Sequence, residues 1–137
     1  MDLPQVGDEI EPFVRTTGFA NWNRYAAVND EFVPIHMDDE AGKAAQQTGA
    51  FGMGNLQISY LHNLLRQWIG PDGEILALGC QFRALNTKDM VVTARGKVTG
   101  VQSDTASGGR VVVSLEVWTE DENGRSLAPG TAKVALA

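Results

Sequence analysis

The sequence predicts an α+β domain in which one antiparallel sheet wraps around a long central helix. Three observations carry that expectation. After the turn Phe51-Gly52-Met53-Gly54, the residues Leu61, Leu64, Leu65 and Trp68 recur at the spacing of one helix face. From Glu74 onward, four long runs alternate apolar and polar residues and are separated by turn-forming residues. The chain has 137 residues, 43% hydrophobic and 20% charged, which suits one domain over residues 1–137 with a core of ordinary size. No repeat, linker or low-complexity tract interrupts it.

In chain order, Ile10, Phe13 and Val14 predict a short strand entry, broken by Pro12. Thr17 is placed to cap a helix running through Val28, with Phe19, Trp22, Tyr25, Ala26 and Val28 mostly on one side. The next stretch, Asp30-Glu31-Phe32-Val33-Pro34-Ile35-His36, is irregular. Pro34 forces Val33 into an extended conformation, which puts His36 on a stiffened loop and not inside a helix. A short helix follows, capped by Asp38 or Asp39 and ended by Gly49, so that Asp38-Asp39-Glu40 is a charge cluster at a helix N-terminus. The long helix runs to about Ile69, where Gly70-Pro71-Asp72-Gly73 stops it. Trp22 and Trp68 are expected in the core, and His62, in mid-helix, is read as structural.

The predicted strands are Glu74–Leu85, Met90–Gln102, Arg110–Glu120 and Arg125–Leu136. The turns between them are Asn86-Thr87-Lys88-Asp89, Ser103–Gly109 and Asp121-Glu122-Asn123-Gly124. Val111, Val113, Leu115 and Val117 alternate with Val112, Ser114, Glu116 and Trp118, and Val92, Ala94 and Val98 oppose Thr93, Arg95, Lys97 and Thr99. Such strands belong to an antiparallel sheet with one covered face, and the long helix is the economical cover.

Composition also excludes whole classes of function. Eleven Lys and Arg against seventeen Asp and Glu give a net charge of −6, which repels nucleic-acid backbones but leaves room for a local basic patch. The lone Cys80 cannot form an intrachain disulfide, and Met1–Gly18 has no basic-apolar leader, so a cytoplasmic location is expected. No apolar run approaches the ~20 residues that span a bilayer. His36, His62 and Cys80 do not have the spacing of a zinc site, so no metal is expected. There is neither a phosphate-binding glycine loop after a strand nor a serine nucleophile elbow.

A long helix followed by an antiparallel meander is the element order of the hotdog fold. The stretch Asn29–His36 resembles the signature of the MaoC-like, (R)-specific enoyl-CoA hydratases, a Ser-Gly-Asp-x-Asn-Pro-Ile/Leu-His run that carries a catalytic Asp and His. Pro34, Ile35 and His36 match, as do the acidic cluster that follows and the upstream Tyr25-Ala26-Ala27-Val28. Gly54 is placed like the glycine of the family's His-Gly-Met turn, and Gln81-Phe82-Arg83 with the Asn86–Asp89 turn is similar to the family's next strand. The resemblance covers nearly the whole chain. In ungapped alignment Glu31 stands at the family's aspartate, with Asp30 one residue earlier. Val33 replaces the family's asparagine, and Met53 the histidine of its His-Gly-Met turn.

The resemblance implies hydration of a 2-enoyl-CoA to a 3-hydroxyacyl-CoA, or the reverse dehydration, with the CoA thioester as substrate and no cofactor. The residues have the chemistry for it. Water addition at C3 needs a base, an acid for C2 and a donor for the enolate-like oxygen. The His36 imidazole can hold or give a proton near neutral pH. Either Asp30 or Glu31 can orient the water and pass a proton. Gly54 has no Cβ, and its N–H opens a long helix whose free donors favour developing negative charge.

An acyl tunnel is expected against the long helix near Leu56, Tyr60 and Leu61. The family's edge-to-edge sheet pairing implies a homodimer, or a heteromer with another hotdog subunit, which would cover a strand edge. Other functions on the same fold are a non-catalytic hotdog subunit supporting a catalytic partner, an acyl-CoA thioesterase and a lipid carrier.

Overall fold

The computed structural model describes residues 3–104 and 108–137. Strand β1 (Phe13–Thr16) leads into helix α1 (Phe19–Asn29), a single 3-10 turn (Pro34–His36), a short helix α2 (Asp39–Ala44) and the long helix α3 (Gly54–Ile69). Strands β2 (Glu74–Cys80), β3 (Val91–Asp104), β4 (Arg110–Glu120) and β5 (Ser126–Ala135) complete the chain.

The five strands form one sheet in the order β1-β3-β4-β5-β2, with every neighbouring pair antiparallel. Alternation decides which face is covered. Val92, Ala94, Val98, Val113, Leu115, Val117 and Val134 are buried, while Arg95, Lys97 and Glu116 face outward. Helix α3 packs against all five strands and buries Leu61, Leu64 and Leu65 completely. Sheet and helix therefore share one core, as the two periodicities require.

Several boundaries differ from expectation. Thr17 is buried but does not cap α1; Gly18 holds that position, and the Thr17 hydroxyl donates to the Thr87 carbonyl at 2.6 Å. Of the two caps expected, Asp38 is the one, accepting from the Glu40 N–H, while Asp39 opens α2, which ends at Ala44, well before Gly49. Val33 is extended (φ −100°, ψ 128°), as Pro34 demands. His36 nevertheless closes a 3-10 turn and does not lie in open loop.

Strand β2 stops at Cys80 instead of Leu85; beyond it Arg83 and Ala84 both donate to the Leu127 carbonyl, so the ladder gives way to an irregular crossing. Trp22 is fully buried, Trp68 half-buried and His62 exposed to solvent, without a packing role. The turn expected at Ser103–Gly109 lies partly outside the described residues. No helix among the described residues is long and apolar enough to cross a membrane.

Candidate functional site

His36 is fixed from two directions. Its own turn closes through His36 N–H to the Val33 carbonyl at 3.0 Å and Met37 N–H to the Pro34 carbonyl at 2.9 Å. Its ring meets the segment entering α3: Nδ1 lies 2.6 Å from the Phe51 carbonyl oxygen, and the imidazole stands edge-on to the Phe51 ring at 5.6 Å. The Phe51 N–H in turn donates to the Ile35 carbonyl at 3.1 Å, which makes the contact a two-point clasp. A carbonyl oxygen only accepts, so Nδ1 carries a proton, and in the neutral ring Nε2 presents its lone pair. Nε2 has no partner among the described residues.

The two acidic candidates sit at the end of α1. Asp30 is the left-handed residue that ends the helix (φ 51°, ψ 46°), a conformation that Asp tolerates better than most residues. Its N–H and that of Glu31 both donate to the Ala26 carbonyl. Both side chains are exposed, and neither carboxylate makes a hydrogen bond or ion pair among the described residues. His36 is thus joined to the glycine turn, whereas Asp30 and Glu31 are not tied to His36.

The turn itself is built around Asn86, which is fully buried. The Asn86 carbonyl accepts from Gly52 N–H at 2.7 Å, its Nδ2 donates to the Met53 carbonyl at 3.2 Å, and its Oδ1 accepts from Trp22 Nε1 at 2.8 Å. A Cβ on Gly52 would overlap Asn86 Oδ1 and Trp22 Nε1, so only glycine lets the amide cross there. Asp39 adds a second anchor. Its Oδ1 accepts from Ala50 N–H at 3.0 Å and its Oδ2 pairs with Lys88 at 2.7 Å. These contacts hold its carboxyl below the ordinary range, the Lys88 hydrogen bond first and the Ala50 N–H second.

Gly54 is the first residue of α3, with no side-chain cap before it. Its N–H has no acceptor among the described residues and belongs to the positive end of the helix. The missing side chain has a present use, however: a Cβ would come within 2.9 Å of the Phe82 ring. Phe82, itself half-exposed, lines a small recess of about 130 Å³ with Gly52, Gly54, Gln57 and Arg83.

A larger pocket of about 340 Å³ lies between β1, α1 and the first half of α3. Leu56 and Tyr60 line it, as expected of an acyl tunnel, but Leu61 is sealed in the core and does not. Burial pushes the Tyr60 phenol up, against an opposing pull from Arg15. Burial likewise raises the Cys80 thiol, on the far edge strand.

Sequence reasoning missed the Phe51 carbonyl, the Asn86 amide, Asp39 as a brace, Phe82 over Gly54 and the Tyr60 hydroxyl. A backbone carbonyl leaves no trace in sequence. Asn86 did leave one, a polar residue after an apolar run, but there it reads as an ordinary turn former. Among the described residues no group of three His, Cys, Asp or Glu could hold a metal ion.

No protein-family model matches the sequence, and no curated protein matches it closely. Solved structures do match over nearly the whole chain. An (R)-hydratase from A. caviae involved in PHA biosynthesis is 23% identical, with 98% of each chain covered and a TM-score of 0.86. The ChsH1-ChsH2 complex from Mycobacterium tuberculosis is 17% identical, covering 98% of this chain and 100% of that one at a TM-score of 0.85. A MaoC-like dehydratase from Rhodospirillum rubrum is 17% identical, covering 97% of this chain and 92% of that one at 0.75. Element order, sheet topology and these superpositions agree: the chain has the hotdog fold that the (R)-hydratases and MaoC-like dehydratases share.

Proposed function

We propose that this protein adds water to a 2-enoyl-CoA to give a 3-hydroxyacyl-CoA, or runs the reverse dehydration, with His36 as the base. The observation that carries this reading is the His36 Nδ1–Phe51 carbonyl hydrogen bond, which holds the ring against the segment leading into α3 and leaves Nε2 free to accept a proton. Nε2 takes a proton from water as the water oxygen bonds C3, and the π electrons move onto the thioester oxygen. The Gly54 N–H, at the positive end of α3, is the donor for that oxygen. When the carbonyl re-forms, C2 takes a proton from the imidazolium, directly or through the carboxylate. Water is added whole and nothing is oxidised, so the chemistry needs no redox cofactor.

Glu31 is the better carboxylate. Asp30 already has a task, ending α1 in the left-handed conformation, while the exposed Glu31 side chain has none. Phe82 would have to yield part of its place over Gly54 for a carbonyl to reach the N–H, and an exposed ring can do so.

Two observations favour a second reading, a hotdog subunit that supports a catalytic partner. Neither carboxylate is tied to His36 within this chain, and one of the similar structures is a complex of two named chains. The edge strand β2 exposes Leu76 at 40% and is open to a second hotdog copy, the same or different.

The test is the loss of conjugated-enoyl absorbance with crotonyl-CoA and bulkier enoyl-CoAs. His36→Ala should lower turnover at least ~100-fold with the fold intact, the usual worth of a general acid-base group. Glu31→Gln should abolish most activity and Asp30→Asn little of it. Equal turnover by His36→Ala and the parent on the same substrate removes His36 from the mechanism, and a parent inert on every enoyl-CoA, alone or with a partner, defeats the hydratase reading. A parent inert alone but active beside a second hotdog chain selects the supporting-subunit reading.

A further inference from the structure

Two guanidinium groups line the pocket between β1, α1 and α3, and in a chain of net charge −6 neither Arg15 nor Arg24 has a carboxylate partner among the described residues. Arg15 lies over the Phe13 ring at 4.0 Å and donates to the neighbouring Val14 carbonyl; the Arg24 guanidinium makes no hydrogen bond among the described residues. Tyr60 lines the same pocket; it is 5% exposed, and its hydroxyl is buried without a hydrogen-bond partner among the described residues. A buried O–H left unpaired costs stability, and native structures rarely leave one so without a use. Phe13 links Arg15 to Tyr60, with its ring centroid 4.0 Å from the Arg15 guanidinium carbon and 5.8 Å from the Tyr60 ring centroid. The remaining walls include the apolar faces of Phe13, Tyr25 and Leu56. One end of the pocket adjoins the proposed reaction site along the chain, since Asn29 precedes Asp30 and Glu31 and Leu56 follows Gly54 within one helical turn.

We propose that this pocket binds an anionic oxygen group, carboxylate or phosphate, on a short apolar stem, with the Tyr60 hydroxyl donating to it and Arg15 and Arg24 balancing its charge. The inference rests on the thioester reading above and narrows its substrate: the thioester carries a charged group into the pocket, where a plain alkyl chain would leave Tyr60 unpaired. Two sources can supply the group, a carboxylate at the far end of the acyl chain or a phosphate of the carrier. A volume of about 340 Å³ is at the small end for a ligand pocket and suits a short chain.

The experiment is calorimetric titration of the purified protein with glutaryl-CoA and pentanoyl-CoA, saturated five-carbon thioesters that differ in the terminal carboxylate and cannot be hydrated. Glutaryl-CoA should bind at least ~10-fold more tightly, the usual worth of a hydrogen bond to a charged group. Tyr60→Phe and Arg24→Gln should each erase most of that preference. Tyr60→Phe loses only an unpartnered oxygen and should melt at or above the parent temperature. Equal binding of the two thioesters, both weakened by Arg24→Gln and by the use of dephospho-CoA as the carrier, supports the same anion site with phosphate as its source. Equal binding that neither variant changes overturns the proposal. If neither thioester binds, the acyl-thioester reading fails, and glutarate alone then decides the pocket. Glutarate raising the melting temperature of the parent but not of Arg24→Gln supports an anion site, and no shift in either overturns it.

Discussion

The β3–β4–β5 half of the molecule and the segments that hold His36 and Gly54 are stabilised by different physics. In the sheet half, Val113, Leu115, Val117 and Val134 are buried by apolar contact with α3, and no single atom decides where any of them lies. In the other half, placement runs through individual polar atoms: His36 Nδ1, the amide of Asn86, the carboxylate of Asp39. Apolar burial is non-directional and fixes where α3 lies. Hydrogen bonds fix atoms to within fractions of an ångström, which is the tolerance that acid-base chemistry requires. Gln57 joins the two halves. It is fully buried on α3, accepts from the Thr119 hydroxyl of β4 at 2.6 Å and donates to the Ala84 carbonyl at 3.0 Å.

The largest expected effect comes from breaking the sheet half. Leu64 is fully buried between α3 and the strands, so Leu64→Ala should cost ~2–5 kcal/mol, read as a lower denaturation midpoint. If the halves are as distinct as described, the folded fraction keeps near-parental turnover per molecule. Next is Asn86→Leu, of similar size. It strands the Trp22 indole N–H and the Met53 carbonyl in a buried place, at a cost of ~1–3 kcal/mol. Here turnover per folded molecule should fall more than stability does, because the turn that presents Phe51 and Gly54 loses its brace. Turnover that tracks stability equally in both variants would erase the distinction between the halves.

Legibility in the sequence follows the same division. The alternation of Val92, Ala94 and Val98 and the spacing of Leu61, Leu64 and Leu65 are repeated signals, and each residue confirms its neighbour's face. Helix α3 accordingly ends at Ile69 and β4 spans Arg110–Glu120, as the pattern requires. Pro34 is a local constraint acting on one neighbour, and Val33 obeys it. Thr17 shows where such reading stops. A threonine before a helix has the pattern of a cap, but its hydroxyl reaches Thr87, a partner no local rule can name. The glycines at Gly52 and Gly54 were legible as a turn, whereas their reasons, Asn86 and Phe82, come from the segment after β2. The sequence singled out Asp30, Glu31, His36 and Gly54. The structure clasps His36 to the turn before Gly54 and leaves the carboxylates at the end of α1 untethered, a question of distance that spacing along a chain does not answer.

The smallest effect tests whether a brace at the solvent edge belongs with the directional half. Asp39 links α2 to the Ala50 N–H and to Lys88, and these contacts favour its charged form. A carboxyl held below its ordinary value near 3.8 stabilises the fold fully above that value and loses the contribution as pH falls through its folded pKa. The melting temperature of Asp39→Asn should therefore lie slightly below the parent's by an amount that is constant from neutral pH down to about 4 and shrinks below it. Lys88→Met should cost less than Asp39→Asn, because it leaves the Ala50 N–H a charged acceptor, whereas the asparagine amide oxygen is a weaker one. Added salt should narrow the Lys88→Met deficit more than the Asp39→Asn deficit, since screening acts on the ion pair and scarcely on the backbone hydrogen bond. If Asp39→Asn melts with the parent at every pH, Asp39 is surface decoration and the bracing of the turn rests on Asn86 alone.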